Sequence, residues 1–354
     1  IKNIYEDKDG DLWIDQNRWG VGIFTPKSNK LLFCTDIPSL KNINNLKNIS
    51  CITSVSSIDE IWLGSEYYSE ICRLKKNKDR IEFLGTLKLS DFVENPGFPR
   101  FFYEDSKHNL WVVTTKKILV KPADEKQLQD TNFPLMDITG IKEGKDGTLW
   151  ISTRKQGVYN VIVSPGLTFE EKKIRNLTAQ TDGLINDNIG AICVDDSGLV
   201  WMGSQEGDVF TYDPQTKKVE NLSNMFDMLE EGIYNIIMDQ LGHIWISTNK
   251  RVVEYDPKNG GIMDYSTMGD VTVNSFMPNS YFKSSSGKIL YGGNRGISVF
   301  TPYEHLSDEP RRIKTMVADV KIDGTSSLLE KNNQRFNLRS QTISLEAGDK
   351  NIEI

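Results

Sequence analysis

Residues 191–204 read AICVDDSGLVWMGS: a short apolar run, an Asp/Gly turn at Asp195–Gly198, then a second apolar run that carries Trp201 and closes on small residues. Outward from there, Val209-Phe210-Thr211-Tyr212 gives a third short run ended by Asp213-Pro214, and Lys218–Leu222 a weaker fourth. Runs this short, broken by turn residues every ten or so positions, predict β-strands.

The same stretch recurs along the chain. Copies are IYEDKDGDLWI (Ile4–Ile14), FYEDSKHNLWV (Phe102–Val112), IKEGKDGTLWI (Ile141–Ile151) and IIMDQLGHIWI (Ile236–Ile246). A degraded copy precedes Trp62 in SSIDEIWLGS, and another, SSSGKILYGGN, has Leu290 in place of the aromatic. The anchors are therefore Trp13, Trp62, Trp111, Trp150, Trp201, Trp245 and Leu290, spaced 49, 49, 39, 51, 44 and 45 residues apart. Six of the seven tryptophans fall on this one position, which excludes chance.

Four antiparallel strands per unit of about 40–50 residues is the pattern of a propeller blade. A lone four-stranded sheet cannot bury both faces, whereas blades around an axis can. An indole buries about 150–250 Å²; at roughly 25 cal/mol per Å² it contributes several kcal/mol per blade. The anchors are read as blade core. Asp7, Asp105, Asp195 and Asp239, each six residues before a tryptophan, are expected to cap their turns by side-chain to backbone hydrogen bonds; their spacing is not that of a calcium loop. The expected fold is all-β: a seven-bladed propeller over 1–302. A linker and the first strands of an Ig-like sandwich follow over 303–354, where Val317–Gly324, Thr342–Leu345 and Asn351–Ile354 alternate. The first copy starts at its innermost strand and the last has no clear fourth strand, so the chain reads as cut from a longer one.

Composition narrows the function. Hydrophobic residues make up 38% and the formal net charge is -7. No basic stripe is present, which argues against nucleic acid. The runs Lys75-Lys76 and Lys116-Lys117 are read as solvated turns. No run of about 18 apolar residues is long enough to span a membrane, and Ile1 opens on a patterned, charged segment rather than a signal peptide. Cys34, Cys51, Cys72 and Cys193 lack zinc-ligand spacing and read as buried thiols. His108, His243 and His305 lie far apart in sequence, so no metal site, cofactor or catalytic residue is assigned.

The motif D-x-x-G-x-[LIV]-W-[IVM]-[GS]-[ST], then G-[LVI]-x-x-[FY]-x-P, resembles the two-component regulator propeller repeat. The tail, with VADVKIDG and ISLEAGDKNIEI, resembles the start of the Ig-like Y_Y_Y domain. This order is similar to the periplasmic half of hybrid two-component sensors of gut bacteria. Such proteins carry two consecutive propellers, the Ig-like domain, a transmembrane helix, and histidine kinase and response-regulator modules. The resemblance implies a periplasmic domain that senses oligosaccharides and controls glycan-utilisation genes. Its partners would be the preceding propeller, the Ig-like domain and a second protomer, with the membrane reached only through a downstream helix.

In a four-stranded meander, the turns between strands two and three share a face with the blade-to-blade connections. Those turns carry Arg18, Trp19, Tyr67, Tyr68, Arg154, Gln205, Asn249, Arg251, Asn294 and Arg295. Sugars need polar partners for hydroxyls and a flat apolar surface for C–H faces; arginine also suits a carboxylate or sulfate. Trp19, the one tryptophan off the core position, is the first candidate ligand platform, or else an interface tryptophan. The face serves equally for packing on a neighbouring propeller or a dimer partner. A propeller glycosidase or lyase is the alternative, but it needs paired carboxylates or a positioned His or Tyr, and no such convergence is visible. The GH…WD pattern of WD-repeat scaffolds is absent.

Overall fold

A computed structural model of the chain describes residues 1–16, 20–77, 80–134, 137–229, 231–267 and 275–302, together with five two-residue strands further on. Two compact units result, Ile1–Leu306 and Ser307–Ile354.

The first unit is a seven-bladed propeller. Blade 1 comprises Ile4–Glu6, Leu12–Gln16, Gly20–Thr25 and Lys30–Phe33, each strand antiparallel to the next. Blade 2 uses Ile49–Val55, Glu60–Ser65, Glu70–Asn77 and Arg80–Lys88. Blade 3 follows with Pro99–Glu104, Leu110–Thr114, Ile118–Lys121 and the short Gln129–Asp130. Blades 4 and 5 span Ile138–Leu177 and Ile189–Asn221, and blade 6 spans Asn235–Asp264. Blade 7 has three strands among the described residues, Phe276–Lys283, Ile289–Gly293 and Gly296–Phe300.

The second strand of each blade is buried on both faces because its side chains alternate between two interfaces. In blade 3, Leu110 and Val112 face the core shared with blade 2, while Trp111 and Val113 face blade 4. Each tryptophan thus plugs the gap to the following blade, and in blades 4, 5 and 6 it meets an aromatic ring of that next blade. Trp150 lies 5.8 Å from Tyr212, Trp201 5.8 Å from Tyr255, and Trp245 5.7 Å from Phe300. Leu290 is buried like the six indoles.

The turn before each anchor is more constrained than expected. The residue three before the anchor is left-handed in every blade: Gly10, Asp59, His108, Gly147, Gly198, Gly242 and Gly287, with φ from 54 to 94°. Glycine adopts this conformation without steric cost, so Asp59 and His108 mark the two copies that bear it. The turn aspartates also do more than cap. One oxygen of Asp195 accepts the backbone N–H of Ser197 (2.8 Å) and of Leu199 (3.0 Å); the other accepts the Trp201 indole N–H at 2.8 Å. Asp7, Asp105 and Asp239 repeat this with Trp13, Trp111 and Trp245 at 2.8–2.9 Å. In blade 2, Trp62 instead donates to Glu60 at 2.9 Å. Blade 7 needs no acceptor for its leucine, and Ser284 caps its turn by accepting the Lys288 N–H.

The ring closes by direct packing of blade 7 on blade 1. The Ile1 nitrogen donates to the Gly293 carbonyl at 2.6 Å, and the Ser285 N–H to Glu6. Tyr5 meets Phe282 edge-on at 5.4 Å.

In the second unit, Lys321–Ile322 pairs antiparallel with Thr325–Ser326 and with Ile352–Glu353, and Phe336–Asn337 pairs with Thr342–Ile343. The rest of the expected tail strands lies outside the described residues.

Candidate functional site

Strand order dictates which loops share the candidate face, and one recurrent bond realises it. The first residue of the turn after strand two donates its N–H to the connector just before strand one: Glu66 to Asn48, Thr115 to Phe98, Arg154 to Asp137, Gln205 to Asn188 and Asn294 to Ser275, at 2.8–3.0 Å. Close packing beneath these bonds explains the small residues ending strand two. A Cβ on Gly203 would lie 2.4 Å from Ile233 of the incoming connector.

The candidate residues on this face fall into three groups. Tyr67 and Tyr68 are 59% and 56% exposed, and Arg154, Asn294 and Arg295 are exposed as well. Arg154 makes a loose ion pair with Asp137 at 3.6 Å. The second group is engaged by the scaffold. Arg251 is bound to Asp264 at 2.7 Å, the Gln205 amide leans on the Ile233 carbonyl, and Asn249 accepts from Ser275. Arg18 and Trp19 lie outside the described residues. Phe98, 41% exposed in the connector to blade 3, is a further exposed ring on this face and escaped the sequence reading because it belongs to no strand-two turn. Beside the face, Asp15 is buried at the end of its strand; desolvation raises its carboxyl to about 6 against the opposing charge of Lys2.

The seven innermost strands enclose a central cavity of about 300 Å³. Its aromatic lining includes Tyr5, Phe102, Tyr103, Tyr234, Tyr281 and Phe282. Two cations, Arg100 and Lys142, line it, and no carboxylate does among the described residues. Arg100 occupies the bulge of its strand, between the paired residues Pro99 and Phe101, at the end nearer the loop face. Lys142 pairs in register with Trp150 and lies deep in the ring with part of its surface open to the cavity. Its ammonium is 3.5 Å from the Tyr281 hydroxyl and 5.9 Å from the ring centres of both Tyr103 and Tyr281. Tyr281, whose hydroxyl accepts from the amine, raises the Lys142 pKa against the desolvation that lowers it.

Two buried clusters lie elsewhere. Lys76 of blade 2 is buried among Asp7 (2.7 Å), Asp9 (3.2 Å) and Asp11 (2.6 Å) of the first turn, so an ammonium sits where those carboxylates converge. In blade 6, ligand atoms of Asp239, His243 and Glu254 come within 4.8 Å of one another, a convergence that the expectation of scattered histidines did not foresee. These atoms are committed to protein partners. His243 Nδ1 is 2.7 Å from Glu254, whose other oxygen accepts from Tyr265 Oη, and Asp239 holds its turn and Trp245. All four cysteines are free and buried; desolvation raises Cys34 and Cys51 to about 12, which leaves them unreactive thiols.

Comparison with known proteins places this geometry in context. The two component regulator propeller family matches residues 183–206, the first hairpin of blade 5 and its approach. No curated protein matches the chain. Among solved structures, it is similar to the extracellular domain of a hybrid two-component system from B. thetaiotaomicron, with 19% identity over 98% of this chain and 44% of that one, at a TM-score of 0.68. A second such domain from the same organism gives 18% identity over 92% and 40%, with a TM-score of 0.62. Virginiamycin B lyase from Staphylococcus aureus gives 14% identity over 84% and 92%, with a TM-score of 0.60. The chain spans about two fifths of the length of the two extracellular domains. These likenesses show the propeller fold.

Proposed function

We propose that this chain is a ligand-sensing segment in the periplasmic region of a hybrid two-component sensor, and that it captures oligosaccharides from glycan breakdown on its loop face. The observation that carries the reading is the exposure of three rings, Tyr67, Tyr68 and Phe98, on loops of the face that also bears Arg154 and Arg295. Aromatic surface left in water has no role in holding the ring together and marks an interaction site. Support for the sensor context comes from the likeness to two extracellular domains of hybrid two-component systems and from the family match in blade 5. In this reading a downstream helix would serve as anchor, with kinase and regulator modules beyond it; no described helix is long and apolar enough to cross a membrane.

The second unit is taken as the opening of an Ig-like domain. A preceding propeller, that domain and a second protomer would be the other partners. A closed ring of seven packed blades is a poor spring, so ligand would act by repositioning whole domains or protomers. Titration calorimetry with defined oligosaccharides tests the reading, with Tyr67→Ala, Tyr68→Ala and Arg154→Ala expected to weaken binding tenfold or more without product forming. Unchanged affinity in all three variants, or turnover of the sugar, refutes it.

A further inference from the structure

We infer that the central cavity is a second binding site, for an organic monocarboxylate whose acid group is held by Lys142 and the Tyr281 hydroxyl. The charge balance is the first argument. The chain carries a formal net charge of -7, yet its cavity is lined by Arg100 and Lys142 and by no carboxylate among the described residues. The two most buried lysines elsewhere have close acceptors: Lys76 has three carboxylates, and Lys121 the Pro122 carbonyl at 2.9 Å with the Ser57 hydroxyl.

Position is the second argument. Lys142 extends from blade 4 to Tyr281 of blade 7, on the far side of the ring, so its ammonium lies across the channel rather than against its own sheet. There it lies over the rings of two tyrosines and within a long 3.5 Å of one hydroxyl, with no carboxylate in salt-bridge range among the described residues. An ammonium has three donors, which leaves capacity for an incoming anion. One ammonium and one hydroxyl suit a single negative charge. The surrounding rings of Tyr5, Tyr103, Tyr281 and Phe282 suit an organic body rather than a bare inorganic ion. A cavity of about 300 Å³ is at the small end of ligand sites, and Arg100 near the loop-face end would draw an anion inward.

This site is separate from the loop face and does not rest on its reading. The test uses glucuronate and glucose as probes, since both offer a sugar ring and only the first a carboxylate, with sulfate at matched ionic strength as the inorganic control. Thermal shift and calorimetry on the whole chain are expected to show glucuronate binding in the millimolar range or tighter, glucose and sulfate at least tenfold weaker, and Lys142→Met abolishing the difference. Tyr281→Phe keeps the ring and removes the hydroxyl; it is expected to weaken glucuronate several-fold, and it serves where the lysine variant fails to fold. Tyr67→Ala should leave glucuronate binding unchanged. Equal responses to glucuronate and glucose, no response to glucuronate, or a glucuronate response that survives Lys142→Met or disappears in Tyr67→Ala would each overturn the proposal.

Discussion

Replacing Asp195 with alanine removes two jobs at once, and a double-mutant cycle with Trp201→Phe separates them. One carboxylate oxygen caps the turn through the Ser197 and Leu199 N–H groups, and the other accepts the indole N–H at 2.8 Å. Bonds to a charged acceptor contribute about 1.5–3 kcal/mol each, and a buried donor left without a partner costs about 1–3 kcal/mol. Asp195→Ala is therefore expected to lower stability by about 3–5 kcal/mol. Trp201→Phe loses the N–H and some of the packing against Tyr255. Because phenylalanine has nothing to donate, the double variant should be less unstable than the sum, by a coupling of about 1.5–3 kcal/mol. Asp195→Asn retains an oxygen for the turn but turns an amide N–H₂ toward the indole, so it should fall between wild type and alanine. Urea unfolding followed by circular dichroism measures all four corners, and the Trp201 indole proton gives a local readout by exchange. Single-variant losses that add to within about 0.5 kcal/mol would show that the aspartate serves the turn alone and that the indole bond contributes nothing.

Three further outcomes follow from the same geometry. His108→Gly relieves a left-handed residue in the blade 3 turn (φ 63°) and should raise stability by about 0.5–1 kcal/mol, read as a higher urea midpoint; a lower midpoint would mean that the His108–Glu104 contact outweighs the strain. Lys76→Met leaves Asp7, Asp9 and Asp11 facing one another without their ammonium and should cost about 3–5 kcal/mol at neutral pH. Against desolvation, the ammonium helps hold the Asp7 carboxyl below its ordinary value, so the deficit should shrink as pH falls and Asp7 is protonated; a pH-independent deficit would point to lost packing instead. Asp15 is held at about 6 by burial, above its ordinary value of 3.8, so the folded state binds the proton more tightly than the unfolded chain. Its contribution is fully present below about pH 4 and is lost as pH rises through 6, about 3 kcal/mol in all. Asp15→Asn should flatten that leg of the pH profile, and parallel profiles for variant and wild type would refute it.

The blades were legible because one large side chain, placed at the one gap every blade must fill, repeats with its turn. What remained hidden was chemistry that crosses the hairpin. Trp62 lacks an acid six residues earlier, yet Glu60, two residues earlier and in the same strand, reaches its indole; sequence spacing suggested a degraded copy where the structure has a substitute. On the loop face, Arg251 and Arg154 looked alike in the sequence. Asp264, thirteen residues on and in the outermost strand, binds the first, while the second keeps only a loose pair with Asp137. Whether an arginine is available to a ligand depends on strand register, which a list of turn residues does not contain.

Lys142 shows the limit more sharply, because its signal was present and unread. The residue paired with the anchor on the innermost strand is Tyr5, Thr53, Tyr103, Lys142, Cys193, Ile237 and Phe282 in the seven blades. Six are uncharged and one is a lysine. In a flat alignment that lysine looks like any residue beside an Asp/Gly turn, and a solvated amine is the natural reading. Ring closure alone converts this column into a layer around an axis, where a single positive charge meets the opposite wall. A charged residue that is rare within its own repeat column, at a position which the closed ring turns inward, is therefore a stronger functional pointer than a polar residue in an exposed loop. Five of the seven column residues, Tyr5, Thr53, Tyr103, Lys142 and Phe282, line the cavity, and a charge placed there must be held with less water than a loop enjoys.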